Sequence, residues 1–89
     1  MQIQNLFQPF EIDFKRSDNC PVKPHKHTFF ELIYTLEGKG VHHIDQNRFE
    51  YREENLFLLM PMTMHHFEVK NTTSFVFIRF NNIYLNAQK

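Results

Sequence analysis

The stretch His25-Lys-His-Thr-Phe-Phe-Glu-Leu-Ile-Tyr-Thr-Leu-Glu-Gly38 decides how this chain folds. His25, His27 and Glu31 share parity, so on a strand or strand entrance, where side chains alternate with a period of two, all three face the same way. A helix aligns them less well. Around Glu31 both parities are largely apolar. Phe29 and Ile33 accompany the carboxylate, while Phe30, Leu32, Tyr34 and Leu36 point to the other side, and a strand of that kind needs cover on both faces. His65 lies thirty-four positions beyond Glu31, with Phe67 and Val69 on its own face. Imidazoles and a carboxylate repeated in this way can converge on one point inside a β-barrel. His25, His27, Glu31 and His65 are the candidate residues of that point.

No window of the chain shows a sustained apolar pattern at helical spacing. Phe29 to Leu36, Val41 to Asp45, Arg48 to Arg52, Leu56 to Met60, His65 to Lys70 and Phe75 to Phe80 are short runs rich in aromatic and branched residues, which predicts strands. Phe7 to Phe14 is a seventh, with Phe10, Ile12 and Phe14 on one face and Pro9 placing it towards an edge. Asn19 to Pro24 reads as a loop whose two prolines fix an extended approach to His25. Gly38-Lys-Gly40 and Asp45-Gln-Asn47 mark connections, and a spacing of roughly eight to twelve residues per strand and turn indicates a sandwich or barrel. The expected fold is all-β: a double-stranded β-helix, or jelly roll, of about seven to eight strands, closing two sheets over one pocket. Cover for the outer face at Phe30, Leu32, Tyr34 and Leu36 would come from the N-terminal strand, a partner protomer, or helices absent from the chain.

Eighty-nine residues make one small domain, taken as residues 1–89. Eleven phenylalanines and three tyrosines supply large apolar areas to a short chain. With only two glycines, turn positions fall to residues such as those of Asp45-Gln-Asn47 and Asn71-Thr-Thr73. Ten basic and ten acidic side chains cancel, and no lysine or arginine run is present to track a phosphate backbone, which disfavours direct nucleic-acid binding. Cys20 is the single cysteine, so no intrachain disulfide can form. The sequence shows neither a signal peptide nor a membrane span, and the expected location is the cytoplasm.

Written as H-x-H, three residues, E, six residues, G, the stretch from His25 to Gly38 resembles the first motif of the cupin family. Leu56-Phe-Leu-Leu-Met-Pro61-Met-Thr-Met-His65-His66-Phe67 is similar to the second motif as it occurs in AraC-type transcription regulators, and Ile44 to Phe49 and Ile78 to Phe80 resemble further strands of that sensor domain. The resemblance covers nearly the whole chain. It departs from the pattern at two turns, where Glu54-Asn55 and Met62 stand in place of glycines. Counted from Pro61, a general cupin pattern selects His66 as the last pocket residue, whereas the regulator pattern ending H-x-F selects His65; the shared face with Phe67 and Val69 favours His65.

This resemblance implies a small-molecule effector-binding sensor rather than an enzyme, with a pocket formed by His25, His27, Glu31, Ile33, Phe57, His65 and Phe67. It implies a homodimer, no membrane partner, and DNA contact only through a separate helix-turn-helix region absent from this chain. The alternative is a stand-alone metal-dependent cupin enzyme acting on a small oxygenated or carbohydrate-like substrate. No cofactor is required by the sensor reading, but His25, His27, Glu31 and His65 suit a divalent ion such as zinc, nickel, iron or manganese, with positions left open for water or ligand. Without a metal the same residues hydrogen-bond one another, and a buried Glu31 then needs partners or stays protonated.

His42 and His43 occupy consecutive strand positions, so only one of them faces inward, and parity does not say which. His66 is read as exterior. Met60, Met62 and Met64 around Pro61 are expected to fill core more than to contact a ligand. Cys20 has no neighbouring histidine to activate it and reads as inert. With no phosphate-cradling glycine loop and no G-x-S-x-G elbow, an enzyme would rest on the histidine–glutamate cluster alone.

Overall fold

A computed structural model describes residues 2–4, 8–18 and 25–82, residues 2–4 and 25 by backbone only. Among them nine strands run in order: β1 Gln2–Gln4, β2 Phe10–Ser17, β3 His25–His27, β4 Phe30–Glu37, β5 Gly40–Ile44, β6 Asn47–Tyr51, β7 Leu56–Leu59, β8 His65–Val69 and β9 Thr73–Phe80. They form two sheets, β1-β3-β8-β5-β6 and β2-β9-β4-β7. All pairings are antiparallel except β1 with β3. Each of the seven runs expected from the sequence contains a strand, although β2 begins at Phe10 and continues to Ser17 while Phe7 lies outside the described residues, and the short β1 and β3 bring the number to nine. No helix of the described residues is long and apolar enough to cross a membrane.

One expectation about the deciding stretch needs correction. His27 and Glu31 do not lie on one strand, because the chain bends at Thr28-Phe29 and passes from the five-stranded sheet into the four-stranded one. Their shared parity survives as a shared destination: the two side chains enter the interior from facing walls. Gly38-Lys39 makes the return crossing from β4 to β5. Gly38 has φ +99, and a Cβ there would stand 2.5 Å from the Thr72 carbonyl oxygen, so no other residue fits without displacing the backbone.

Between the sheets Ile33, Leu59, Phe67, Phe75, Phe77 and Tyr51 form the apolar core. Phe67 and Phe75 are in tilted contact at 4.5 Å, and Tyr51 meets Phe67 edge-on at 5.6 Å. The Tyr51 hydroxyl is 2.7 Å from Thr73 Oγ1, which satisfies the polar end of a buried ring. Burial, partly offset by that hydrogen bond, raises the phenol's pKa.

The two turns that lack a glycine nevertheless adopt the backbone that glycine favours. Met62 has φ 65 and Glu54 φ 70. Pro61 and Met62 are the central residues of a turn closed by the Thr63 N–H on the Met60 carbonyl at 3.3 Å, which is a type II arrangement with its third position in the left-handed region. The Met62 N–H reaches the His27 carbonyl at 2.7 Å, so this turn also anchors β3. Met60 and Met62 are 53% and 46% exposed, and the expectation of core filling fails for both because the turn throws them outward. Met62→Gly keeps the anchoring N–H and removes the left-handed penalty of about 1–2 kcal/mol, against an unfolded-state entropy cost of about 0.5–1 kcal/mol. A net gain of about 0.5–1 kcal/mol is expected, read as a rise in melting temperature of about 2–8 °C. An unchanged or lower melting temperature would show that the methionine side chain contributes more than its exposure suggests.

Candidate ligand and metal site

β3, β4, β5 and β8 each bring a polar side chain to one end of the interior. His27, His42, His65 and Glu31 are all buried, none more than 2% exposed. His27 Nδ1 lies 3.0 Å from the Phe29 carbonyl oxygen. A carbonyl only accepts, so Nδ1 carries the proton there and the neutral ring presents an unprotonated Nε2 to the interior. That Nε2 stands 3.2 Å from His65 Nε2 and 3.2 Å from Glu31 Oε1, and His65 Nε2 is 3.6 Å from the same oxygen. Among the described residues, these three form a group with ligand-metal spacing.

The cluster is braced from behind. His42 Nε2 lies 3.1 Å from His65 Nδ1, and the His42 ring stacks on Phe67 at 4.0 Å and meets Phe57 edge-on at 4.7 Å. Such a contact sets which His65 nitrogen is left to face Glu31, the role that outer partners of ligand histidines commonly have. Arg79 on β9 stands directly opposite Glu31 on β4 and donates from Nε to Oε2 at 2.6 Å. Its guanidinium also covers the Phe77 ring, 4.8 Å from the centroid, and reaches Asp13 of β2 at 3.4 Å. Burial pushes the Glu31 carboxyl up, but the hydrogen bonds and charges of His27, in the state where its Nε2 is protonated, and of Arg79 outweigh it, so its pKa lies below the ordinary carboxylate value. Glu31 is therefore ionised near neutral pH.

Oε1 is the unfinished part of this arrangement. It is buried and makes no hydrogen bond among the described residues, although Oε2 is engaged by Arg79. His27 Nε2, His65 Nε2 and Glu31 Oε1 stand 3.2, 3.2 and 3.6 Å apart, a spacing that either a proton carried on His65 Nε2 or a metal ion among the three can bridge. With metal–nitrogen and metal–oxygen distances of about 2.0–2.2 Å, neighbouring ligands stand roughly 2.9–3.5 Å apart. The triangle fits a divalent ion held by two imidazoles and one carboxylate.

Of the residues expected from the sequence, the structure brings His27, Glu31 and His65 together, with Phe57 and Phe67 around His42. Ile33 is fully buried within the core cluster. His25 pairs with His65 in backbone register, but its side chain lies outside the described residues, as does Cys20. His66 points away, stacked on His43 at 4.3 Å on the outer face, and of the two adjacent histidines only His65 is in the cluster. Sequence reasoning missed Arg79 and did not separate His42 from His43. Arg79 shares parity with Phe75 and Phe77, and a cation in the inward phase of an apolar strand is the signal that an anion faces it.

Comparison with known proteins agrees with this architecture. A cupin protein of Bacteroides fragilis superposes with TM-score 0.75 at 18% identity, over 85% of this chain and 69% of that one. A cupin superfamily protein of Desulfitobacterium hafniense gives 0.78 at 15% identity, over 86% and 72%, and the EutQ protein of Clostridium difficile 0.71 at 12%, over 81% and 56%. At such identities the likeness is one of fold, and the chain spans little more than half of EutQ. No curated protein matches significantly. The profile of the AraC-like ligand binding domain matches residues 9–88, nearly the whole chain, and the protein accordingly belongs to the AraC-like ligand-binding domain family.

Proposed function

We propose that this small-molecule-binding domain is the effector sensor of an AraC-type transcription regulator, and that its ligand is read by the buried His27–Glu31–His65 cluster. The observation that carries the reading is Glu31 Oε1, an ionised and buried acceptor without a hydrogen bond among the described residues, facing two imidazole nitrogens. Burying such a charge is costly unless something positive or hydrogen-donating completes it. A divalent ion held by His27, Glu31 and His65, with His25 as the fourth ligand expected from the sequence, meets that need. When bound, it would supply a Lewis-acidic point for an oxygen or nitrogen atom of an effector. Arg79 holds the carboxylate in place, and His42 holds the His65 ring. DNA contact through a separate domain and a cytoplasmic location go with this reading.

The decisive experiment is a binding titration of protein purified without a histidine tag and stripped of metal. Zinc, nickel, iron(II) and manganese would each be added alone, and binding followed by calorimetry and by melting temperature. A saturating ion at about a hundred times its Kd stabilises by about 2.7 kcal/mol, a rise of roughly 10 °C or more for a domain of this size. No shift with any ion, combined with a shift from an organic effector that His27→Ala abolishes, would keep the sensor and remove the metal.

The same triad favours, as a second reading, a stand-alone metal-dependent cupin enzyme. The encoding DNA beyond Lys89 separates the two. An in-frame continuation into helix-turn-helix units supports the regulator, and a natural stop codon there favours the enzyme.

A further inference from the structure

Met60, Met62 and Met64 stand at alternate positions around one turn, and of the chain's four methionines only the first residue lies elsewhere. The fold gives no packing reason for two of them. Met60 and Met62 are 53% and 46% exposed, although a methionine side chain ordinarily fills irregular gaps in a core. Met62 also takes a left-handed backbone, φ 65, in which a side chain is strained and glycine is not. Natural chains break such local rules mainly at functional sites.

The turn brings the three side chains to one place. The Thr63 N–H on the Met60 carbonyl folds the chain back, which holds the Cα atoms of residues 60 and 63 within about 7 Å, and Met64 follows directly. The backbone around them is pinned. The Met62 N–H is held by the His27 carbonyl at 2.7 Å; the Met64 carbonyl accepts the Asp45 N–H at 2.7 Å, and the Met64 N–H donates to Asp45 Oδ1 at 3.2 Å. Beyond this frame each methionine turns about three bonds, so the sulfurs can close on one ion while the backbone stays in place.

The donor chemistry selects the ion. A thioether is neutral and soft, which suits copper(I) rather than the harder ions that carboxylates and carbonyls hold. Silver(I), with the same filled shell and charge, is its larger analogue. We propose that Met60, Met62 and Met64 form a second metal site, a surface turn whose three thioethers take a soft monovalent cation, copper(I) or silver(I). This site shares no ligand atom with the buried cluster. It goes beyond the sensor reading and does not depend on what that cluster binds.

Silver(I) is the probe, being diamagnetic and stable in air. The chain carries Cys20→Ser, so that no thiol competes, and its methionine methyl groups are labelled with carbon-13. Silver nitrate is added in chloride-free buffer. The Met60, Met62 and Met64 methyl resonances, assigned from single leucine variants, should shift together and saturate at one ion per chain. Thioethers have no proton to displace, so calorimetry should find this affinity constant between about pH 5 and pH 8, a range in which binding by imidazoles changes. Leucine keeps the volume and removes the sulfur. Each single substitution should weaken the step by at least roughly tenfold, and the triple substitution should abolish it. Circular dichroism melts identify any variant that fails to fold, and the single variants keep the test independent of the triple one. Methyl resonances that stay in place at excess silver would overturn the proposal. So would an affinity that follows histidine titration, or a step that the folded leucine variants retain.

Discussion

Replacing Arg79 with methionine is expected to destabilise the domain by about 3 kcal/mol at neutral pH, because it leaves a buried carboxylate without its principal counter-charge. Glu31 is 2% exposed and its Oε2 loses a 2.6 Å donor, while the introduced thioether side chain would still pack on Phe77. The pH dependence should invert as well. In the wild type the Glu31 pKa lies below its ordinary value, so its contribution is present above the unfolded-state pKa and is lost as pH falls through the folded one. Without Arg79 the opposing effect of burial, already the largest single influence on this group, has less to offset it, and Glu31 is driven towards the protonated form. Stability of the variant then falls as pH rises from acid towards neutrality. Urea melts at acid and neutral pH should show the difference between wild type and Arg79→Met growing with pH. Adding Glu31→Gln should recover most of it, since removing both charges costs less than orphaning one. A loss that is independent of pH and unrelieved by Glu31→Gln would mean that Arg79 acts through packing alone.

The fold was legible in the chain because its signals were local. Strand runs, the hairpin at Asp45-Gln46 and the proline before the last histidine are read from a few consecutive residues. What was not legible depended on pairing across strands. His42 and His43 are equivalent by parity, and only the register that sets His42 against Phe67 and His43 against His66 sends one inward and the other out. Arg79 gains meaning only once β9 lies beside β4 with Arg79 against Glu31. The face of β2 posed a related difficulty: alternation shows that Phe10, Ile12 and Phe14 lie together, but not whether that side is core or surface. In the same way the parity of His27 and Glu31 was sound as alternation, yet the bend at Thr28-Phe29 set them in different sheets. Turn residues escaped for another reason. Met62 and Glu54 carry no intrinsic preference for positive φ, and only their departure from a glycine pattern marked them.

Loss of a ligand should outweigh loss of a brace, and that ordering is the sharpest check on the cluster. If the metal-free protein binds zinc, His27→Ala, His65→Ala and Glu31→Gln should each weaken binding by at least roughly a hundredfold, because each removes an atom of the triangle, whereas outer partners of ligand histidines are usually worth about 10–100-fold. His42→Phe keeps a ring against Phe67 and deletes the 3.1 Å contact to His65 Nδ1, so its effect belongs in the lower range. His66→Ala, on the outer face against His43, should change nothing. Because imidazoles must lose a proton to bind, zinc affinity should fall as pH drops through the range where histidines titrate. The fall should be shallower in His27→Ala, which has one fewer proton to displace. Calorimetry at several pH values with buffers of different ionisation enthalpy counts those protons directly. Equal losses from His42→Phe and His65→Ala would move His42 into the ligand set, and a loss from His66→Ala would undo the register on which the site is built.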